Sequence, residues 1–495
     1  MIDSLLLGLH VALQPGNLMY IVAGCLLGTL IGALPGLGAA VGVSLLLPFT
    51  YNMPATGALL LLVSLYQASE YGGSISSILV STPGTPAAAA TVLDGYTLSR
   101  KGYPGKALGY SLTASTIGGF FGVFVLIFLS MPLANFALRF GAAEYFSLGI
   151  FGLTAVAALS SSDIPKSVLS VIFGLLLATV GVDVFTGYPR FHFGQMALYE
   201  GIPLIPILIG LFAVSEVFRM IGEDLDFRLK IGAKGLNVWL NLREVKSILV
   251  TTIKGGVMGS LIGIFPGLGT GPASWLSYGE AKRSSKTPEK FGTGCPEGIA
   301  APESANNAAV GGALIPLITL GIPGSPATAV IMGALIIQGI QPGPEIFETM
   351  PEMTYGLFAG LFIATFFMYL IGLFSTNLWA RIVKCPNWVL APVILVLSTV
   401  GGYISRSLVF DVWLTIFFGI LGYGMRKLNY SLPSLILGYI LGFLIETSLR
   451  RALIVSDGSY AIFFTRPVSL TFLILAIVFF AGAVRQQIRR KRTLS

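Results

Sequence analysis

Charge is scarce in this chain. Only 11% of its 495 residues are Asp, Glu, Lys or Arg, against about 25% in soluble domains. A soluble chain of this length needs far more polar surface to stay dissolved. The shortage excludes a soluble enzyme, a disordered chain and a nucleic-acid binder. The net charge of +8 does not reopen the last class, because it is spread over an apolar chain. Histidine and cysteine are scarcer still. Two histidines, His10 and His192, cannot build a metal site. Cys25, Cys295 and Cys385 form no C-x-x-C pair and are expected as small buried hydrophobes. No G-x-x-x-x-G-K-[ST] loop is present, so nothing here cradles ATP. Neither G-x-S-x-G nor H-E-x-x-H occurs. No paired nucleophile and base supports a membrane-embedded enzyme. The segment Met1–Leu13 has Asp3 and no basic stretch, so it is not expected to be a cleaved signal peptide.

What is abundant is apolar surface, 54% of residues, and glycine, 61 of them. Asp, Glu, Lys and Arg are missing from 4–69, 107–138, 145–162, 167–182, 255–279, 304–344, 353–380, 385–405, 428–445 and 467–484. About 20 apolar residues cross a bilayer as a helix, so these runs support roughly eleven to fifteen crossings. The alternation of a membrane β-barrel is missing, which leaves helices to satisfy the backbone in lipid. The expected fold is an all-α, polytopic transmembrane helical bundle.

The chain repeats itself. Gly28–Gly38 reads GTLIGALPGLG and Gly259–Gly269 reads GSLIGIFPGLG, 231 residues later. Tyr71–Ala87 (YGGSISSILVSTPGTPA) returns as Val310–Ala327 (VGGALIPLITLGIPGSPA). Each copy therefore holds two Gly/Pro-interrupted elements, a PGLG arm and a PG-x-P arm. The expected division is a first repeat over 1–106, connecting helices and a cytoplasmic loop over 107–246, a second repeat over 247–352, and C-terminal helices with a basic tail over 353–495.

Basic residues orient these copies, since they concentrate on the cytoplasmic side. Arg485, Arg489, Arg490, Lys491 and Arg492 place the C-terminus in the cytoplasm. The first copy lacks Lys and Arg until Arg100, Lys101 and Lys106, so it runs from outside to inside. The second follows Arg243, Lys246 and Lys254 and ends near Glu345, Glu348 and Glu352, so it runs from inside to outside. Arg139, Arg190, Arg406, Arg450 and Arg451 fall on the outer side, against the trend. Two inverted-topology repeats, each with a broken or re-entrant helix, are the pattern of a secondary transporter. Irregular backbone at membrane depth is tolerated where it lines a cavity.

The first PG-x-P arm is rich in hydroxyls: Ser69, Tyr71, Ser74, Ser76, Ser77, Ser81, Thr82 and Thr85, among Gly72, Gly73, Pro83 and Gly84. Such donors suit an anion that is bound and then released; small-residue helix packing is the alternative. In the second copy, Glu297, Glu303, Asn306 and Asn307 stand between uncharged runs. Glu303 could couple to a proton, and Asn306 and Asn307 could hold Na⁺. The alternative for Glu297 and Glu303 is a solvated interfacial loop. Asp94, before Gly95, reads as a turn cap toward Arg100. The PGLG arms, with Pro35, Gly36 and Gly38 and with Pro266, Gly267 and Gly269, offer only backbone: tight turns or close approach to a ligand, or plain kinks at the prolines.

The runs GTLIGALPGLG, ASEYGGSISSILVSTPGTPAAAATVLDGY with KGYPGKALG, and GCPEGIAAPESANNAAVGGALIPLITLGIPGSPATAVIMGAL resemble the large membrane subunit of the tripartite tricarboxylate transporters, the TctA family. The resemblance covers nearly the whole chain. It implies a multi-pass protein of the bacterial inner membrane, with no cofactor. The implied partners are a small four-helix membrane subunit and a periplasmic solute-binding protein that delivers a carboxylate. Uptake of di- or tricarboxylates, or of some aromatic carboxylates, would be driven by Na⁺ or H⁺. The positions it implies for transport are Tyr71–Ser77 and Ser81–Thr85 in the first copy, and Glu303–Asn307 with Pro323, Gly324 and Ser325 in the second. The resulting expectation is an ion-coupled importer of organic anions working by alternating access, in an elevator-like manner. A passive anion channel and a transporter independent of a binding protein are the rivals.

Overall fold

The computed structural model describes residues 2–159, 163–222, 236–383 and 385–494. Part of the hydrophilic connector Arg219–Lys254, together with Lys384, lies outside these residues, as do the side chains of the basic tail from Arg489 onward. The chain is helical almost throughout, as its apolar runs require. Six helices cover the first stretch: α1 (Ile2–Ala12), α2 (Pro15–Ala33), α3 (Gly38–Leu46), α4 (Ala55–Val80), α5 (Ala89–Arg100) and α6 (Pro104–Ala137). Then come α7 (Ala142–Leu159) and α8 (Ile164–Ala178), a short antiparallel hairpin of β1 (Gly181–Val182) and β2 (Pro189–Arg190), and α9 (Leu204–Leu208) joined to α10 (Ser215–Gly222) through a π turn. The second copy supplies α11 (Leu242–Ile264), α12 (Thr270–Ser284), α13 (Pro296–Leu320), α14 (Pro326–Ile337), α15 (Ile346–Thr349) and α16 (Pro351–Ile382). The rest forms α17 (Asn387–Ile404), α18 (Val409–Lys427), α19 (Leu432–Val455), α20 (Ile462–Thr465) and α21 (Pro467–Leu494). Among the described residues, nine helices are long and apolar enough to cross a membrane, and five more are apolar but shorter. The protein is a multi-pass, all-α membrane protein.

The Gly/Pro elements end helices rather than kink them. Leu34 turns extended ahead of Pro35, which disfavours helix in the residue before it. Gly36 (φ 84°) and Gly38 (φ 63°) then take left-handed backbone that a side chain would strain. Phe265, Gly267 (φ 78°) and Gly269 (φ 61°) repeat that path in the second copy. The PG-x-P arms match as well: α4 closes on left-handed Ser81 and α13 on left-handed Gly321.

Glycine also decides the packing, because lipid offers helices little hydrophobic reason to associate and close backbone contact must substitute. A Cβ on Gly24, Gly28 or Gly32 of α2 would sit 2.4, 2.4 or 2.1 Å from a carbonyl oxygen of α4. A Cβ on Gly255, Gly259 or Gly263 of α11 would likewise sit 2.7, 2.1 or 2.6 Å from the carbonyl oxygen of Ala301, Ala305 or Ala309 of α13. Helix α6 packs on α11 and α13, while α16 packs on α2 and α4, so each copy is completed by a helix that follows the other pair. The helices of 142–222 and 387–494 pack mainly on one another.

Of the arginines that ran against the charge trend, Arg190, Arg406 and Arg450 are paired. Arg190 and Arg450 share Asp183 and Glu446, at 2.7–3.2 Å. Arg406 binds Asp411 at 2.6 Å.

Candidate functional site

The two PGLG arms, far apart in sequence, line one cavity of about 630 Å³. Gly36–Val41 form one wall and Gly267–Pro272 another; Tyr66, Glu70, Phe212, Ser325 and the α18–α19 loop complete it. Each arm is fastened to the PG-x-P arm of its own copy. Gly38 N–H donates to the Gly84 carbonyl at 3.1 Å, and both Gly267 and Gly269 N–H donate to the Gly324 carbonyl at 3.1 Å. Gly84 N–H in turn donates to the Gly73 carbonyl at 3.2 Å. Gly84 must be glycine for this contact, since a Cβ there would lie 1.9 Å from the Gly32 carbonyl oxygen.

Three helices begin at this cavity: α3, α12 and α14. No side chain caps α3 or α12, whereas Ser325 and Thr328 form a capping box on α14. First-turn N–H groups and the helix dipole make such termini favourable for an anion. Two charged side chains line the cavity among the described residues, Arg426 and Glu70. Arg426 Nη1 donates to Glu216 Oε2 at 2.6 Å, and Arg219 donates to the other oxygen of the same buried carboxylate. One carboxylate therefore sets two guanidinium groups beside the first PGLG turn.

Behind the cavity, α4 and α13 cross with a ladder of polar contacts. Glu303 accepts from Ser74 at 2.5 Å and from Thr91 on one oxygen, and from Ser111 and Ser115 at 3.0 Å each on the other. Asn306 Nδ2 donates to the Glu70 carbonyl at 3.2 Å, and Asn307 Nδ2 to the Gln67 carbonyl at 3.0 Å. Tyr66 donates to Ser325 Oγ at 3.0 Å, and Thr270 to Glu70 Oε1 at 3.0 Å. The pairings 74–303, 70–306 and 67–307 advance along one helix as they retreat along the other, so α4 and α13 run antiparallel.

The sequence candidates are dispersed around the cavity and the ladder. Gly36, Gly38, Gly267, Gly269 and Ser325 line the cavity. Gly73, Gly84, Thr85 and Gly324 hold the arms behind it, while Pro35, Pro266 and Pro323 are buried in the turns. Ser74, Glu303, Asn306 and Asn307 belong to the ladder. Other hydroxyls serve the helix itself: Ser76 and Ser77 donate to the Gly73 carbonyl. Tyr71 and Gly72 face α16 and α2, and Ser81 and Thr82 lie away from the cavity. Glu303 is fully buried in α13, which removes the interfacial-loop alternative, while Glu297 is half-buried in that helix's first turn. Asp94 caps, but across the molecule: it accepts N–H groups from Gly292, Gly294 and Cys295 and the Tyr278 hydroxyl.

Sequence reading missed Glu70, Gln67, Arg426 and the hydroxyls of Thr91, Ser111 and Ser115. Glu70 had a usable signal, because it ends a run of 66 residues without charge, the same isolation that singled out Glu303.

Residues 18–437 match the Tripartite tricarboxylate transporter TctA family. The chain belongs to this family. Two proteins of Agrobacterium vitis are similar to this TctA-family member. One, named as an uncharacterized 52.8 kDa protein in the TAR-I ttuC′ 3′ region, is 40% identical over 493 residues, 99% of this chain and 98% of its own. The other, named as an uncharacterized protein in the TAR-II ttuC′ 3′ region, is 41% identical over 234 residues, 47% of this chain and 97% of its own. No solved structure matches.

Proposed function

We propose that this TctA-family chain is the large membrane subunit of an ion-coupled importer of organic anions, and that the PGLG cavity is its substrate site. One observation carries the reading: uncapped helix N-termini from both copies open on a single cavity whose wall also holds a guanidinium. Backbone N–H groups favour carboxylate oxygens without a buried lysine to retain them. Arg426, already engaged by Glu216, offers its remaining donors to a second carboxylate. Such a division suits a di- or tricarboxylate better than a single acid group.

The partners proposed are a small four-helix subunit and a periplasmic binding protein, in the inner membrane of a bacterium with the C-terminus in the cytoplasm. Inversion of the copies is supported by the antiparallel run of α4 and α13, which occupy matching places in the two repeats. Bonds from Gly38 to the Gly84 carbonyl and from Gly267 and Gly269 to the Gly324 carbonyl tie each pair of arms together. That coupling supports alternating access by a moving body of broken helices, with the coupling ion, Na⁺ or H⁺, bound where α4 crosses α13 beside Asn306 and Asn307.

Binding-protein-dependent uptake of a radiolabelled dicarboxylate into proteoliposomes tests this. Arg426→Gln is expected to raise the half-saturating concentration about tenfold or more, as for loss of a charge-assisted bond. Unchanged saturation would remove Arg426 and the cavity from the substrate path.

A further inference from the structure

Acceptor oxygens are in surplus where α4 crosses α13. Four buried side-chain oxygens there have no hydrogen-bond partner: Gln67 Oε1, Glu70 Oε2, Asn306 Oδ1 and Asn307 Oδ1. Their owners are at most 3% exposed. The amide orientations are fixed by their partners. Asn306 and Asn307 turn Nδ2 toward backbone carbonyls, and Gln67 donates to Thr365 Oγ1, whose own proton is given to the Leu361 carbonyl. The amide oxygens are therefore the ends left without a partner. Gln67 and Glu70 stand one turn apart on α4, Asn306 and Asn307 are neighbours on α13, and two hydrogen bonds hold the pairs together. The Thr85 and Asn306 side chains lie beside the Glu70 carboxylate. No basic side chain forms an ion pair with Glu70 among the described residues.

We infer that this crossing is a binding site for Na⁺, with Glu70 Oε2 and Asn306 Oδ1 as its core ligands and the oxygens of Gln67 and Asn307 beside them. Unpaired buried acceptors cost free energy that a hard cation relieves, and oxygen is the ligand such cations prefer. Charge selects the valence. One carboxylate neutralises one monovalent ion, whereas a divalent ion would leave a net buried charge. No cluster of three His, Cys, Asp or Glu offers a transition-metal site among the described residues. Glu303 is not the ligand, because four hydroxyl donors already fill both of its oxygens.

The site's position supplies coupling. Glu70 also lines the anion cavity. With the ion absent, its charge repels a carboxylate; with Na⁺ bound, the repulsion is removed and the anion can enter. Na⁺ therefore binds before the anion and is released after it. The use of the site rests on the import reading above, but its occupancy does not.

The test is thermal unfolding of the purified full chain in NaCl against choline chloride, at equal ionic strength and pH. Wild type is expected to melt at a temperature that rises and saturates with Na⁺. Glu70→Gln and Asn306→Ala should lose that rise. Glu70→Asp, kept in case the others fail to fold, should shift the Na⁺ midpoint by tenfold or more. Glu303→Gln should keep the wild-type midpoint although it melts lower overall. Equal melting of wild type in both salts, an unchanged midpoint in Glu70→Asp, or loss of the Na⁺ response in Glu303→Gln alone would overturn the assignment. Anion accumulation driven by a proton gradient, without a Na⁺ effect on melting, would sink this site and leave the import reading standing.

Discussion

Glu303 shows what one buried residue can organise. Its carboxylate gathers hydroxyls from α4, α5 and α6 onto α13, so four helices meet at one acceptor. Glu303→Ala would strand those donors, and a loss of stability on the order of 3 kcal/mol is expected. A fall in melting temperature far larger than that of Ser76→Ala would show it. A second residue sets a pH dependence outside the membrane. Asp183 accepts the backbone N–H of Thr186 first of all, then that of Phe185, and pairs with Arg450, which holds its carboxyl down at about 2. A depressed carboxyl stabilises the fold above its unfolded value near ~4 and loses that contribution as pH falls toward 2. Stability from this clamp should be flat from neutral pH down to about 5 and decline below. Asp183→Asn should abolish that acid limb in melting curves.

Legibility at this scale followed isolation. Glu303, Asn306 and Asn307 could be picked out because each interrupts a long apolar run. The hydroxyls that serve Glu303 could not, since Thr91, Ser111 and Ser115 reach it across 188–212 residues of chain. Pairing at such separation is decided by tertiary packing, and a buried serine in sequence looks the same whether it binds a ligand or its own helix.

At the level of elements, glycine sets both the breaks and the contacts. The PGLG motifs were readable as turns or kinks; left-handed Gly36, Gly38, Gly267 and Gly269 settle them as turns. The crossing count was less readable. A run such as 4–69 holds α1, α2, α3 and most of α4, and short broken helices cannot be told from full spans by composition. The close crossings give a direct prediction. Gly32→Val and Gly259→Val would each place a Cβ 2.1 Å from a carbonyl oxygen. Both should disrupt packing by several kcal/mol, more than about 3, seen as loss of a monodisperse peak on size exclusion. The exposed Gly16, with open space around its Cα, should accept alanine.

For the whole molecule, two copies of one helix set enclose a shared cavity, and helices α6 and α16 bind each copy to the other. Inverted topology would let the copies exchange shapes and so supply both faces of a transport cycle. Single cysteines beside Lys101 and beside Glu348 should be labelled from opposite sides of the membrane; labelling from one side would refute the inversion. The central claim is uphill, ion-driven import of an organic anion through the PGLG cavity. Its most direct test is reconstitution of the chain with its small subunit and carboxylate-loaded binding protein under an imposed inward Na⁺ or H⁺ gradient. The account predicts accumulation above the external level that collapses with the gradient. Entry that only equilibrates, with or without a gradient, would contradict it.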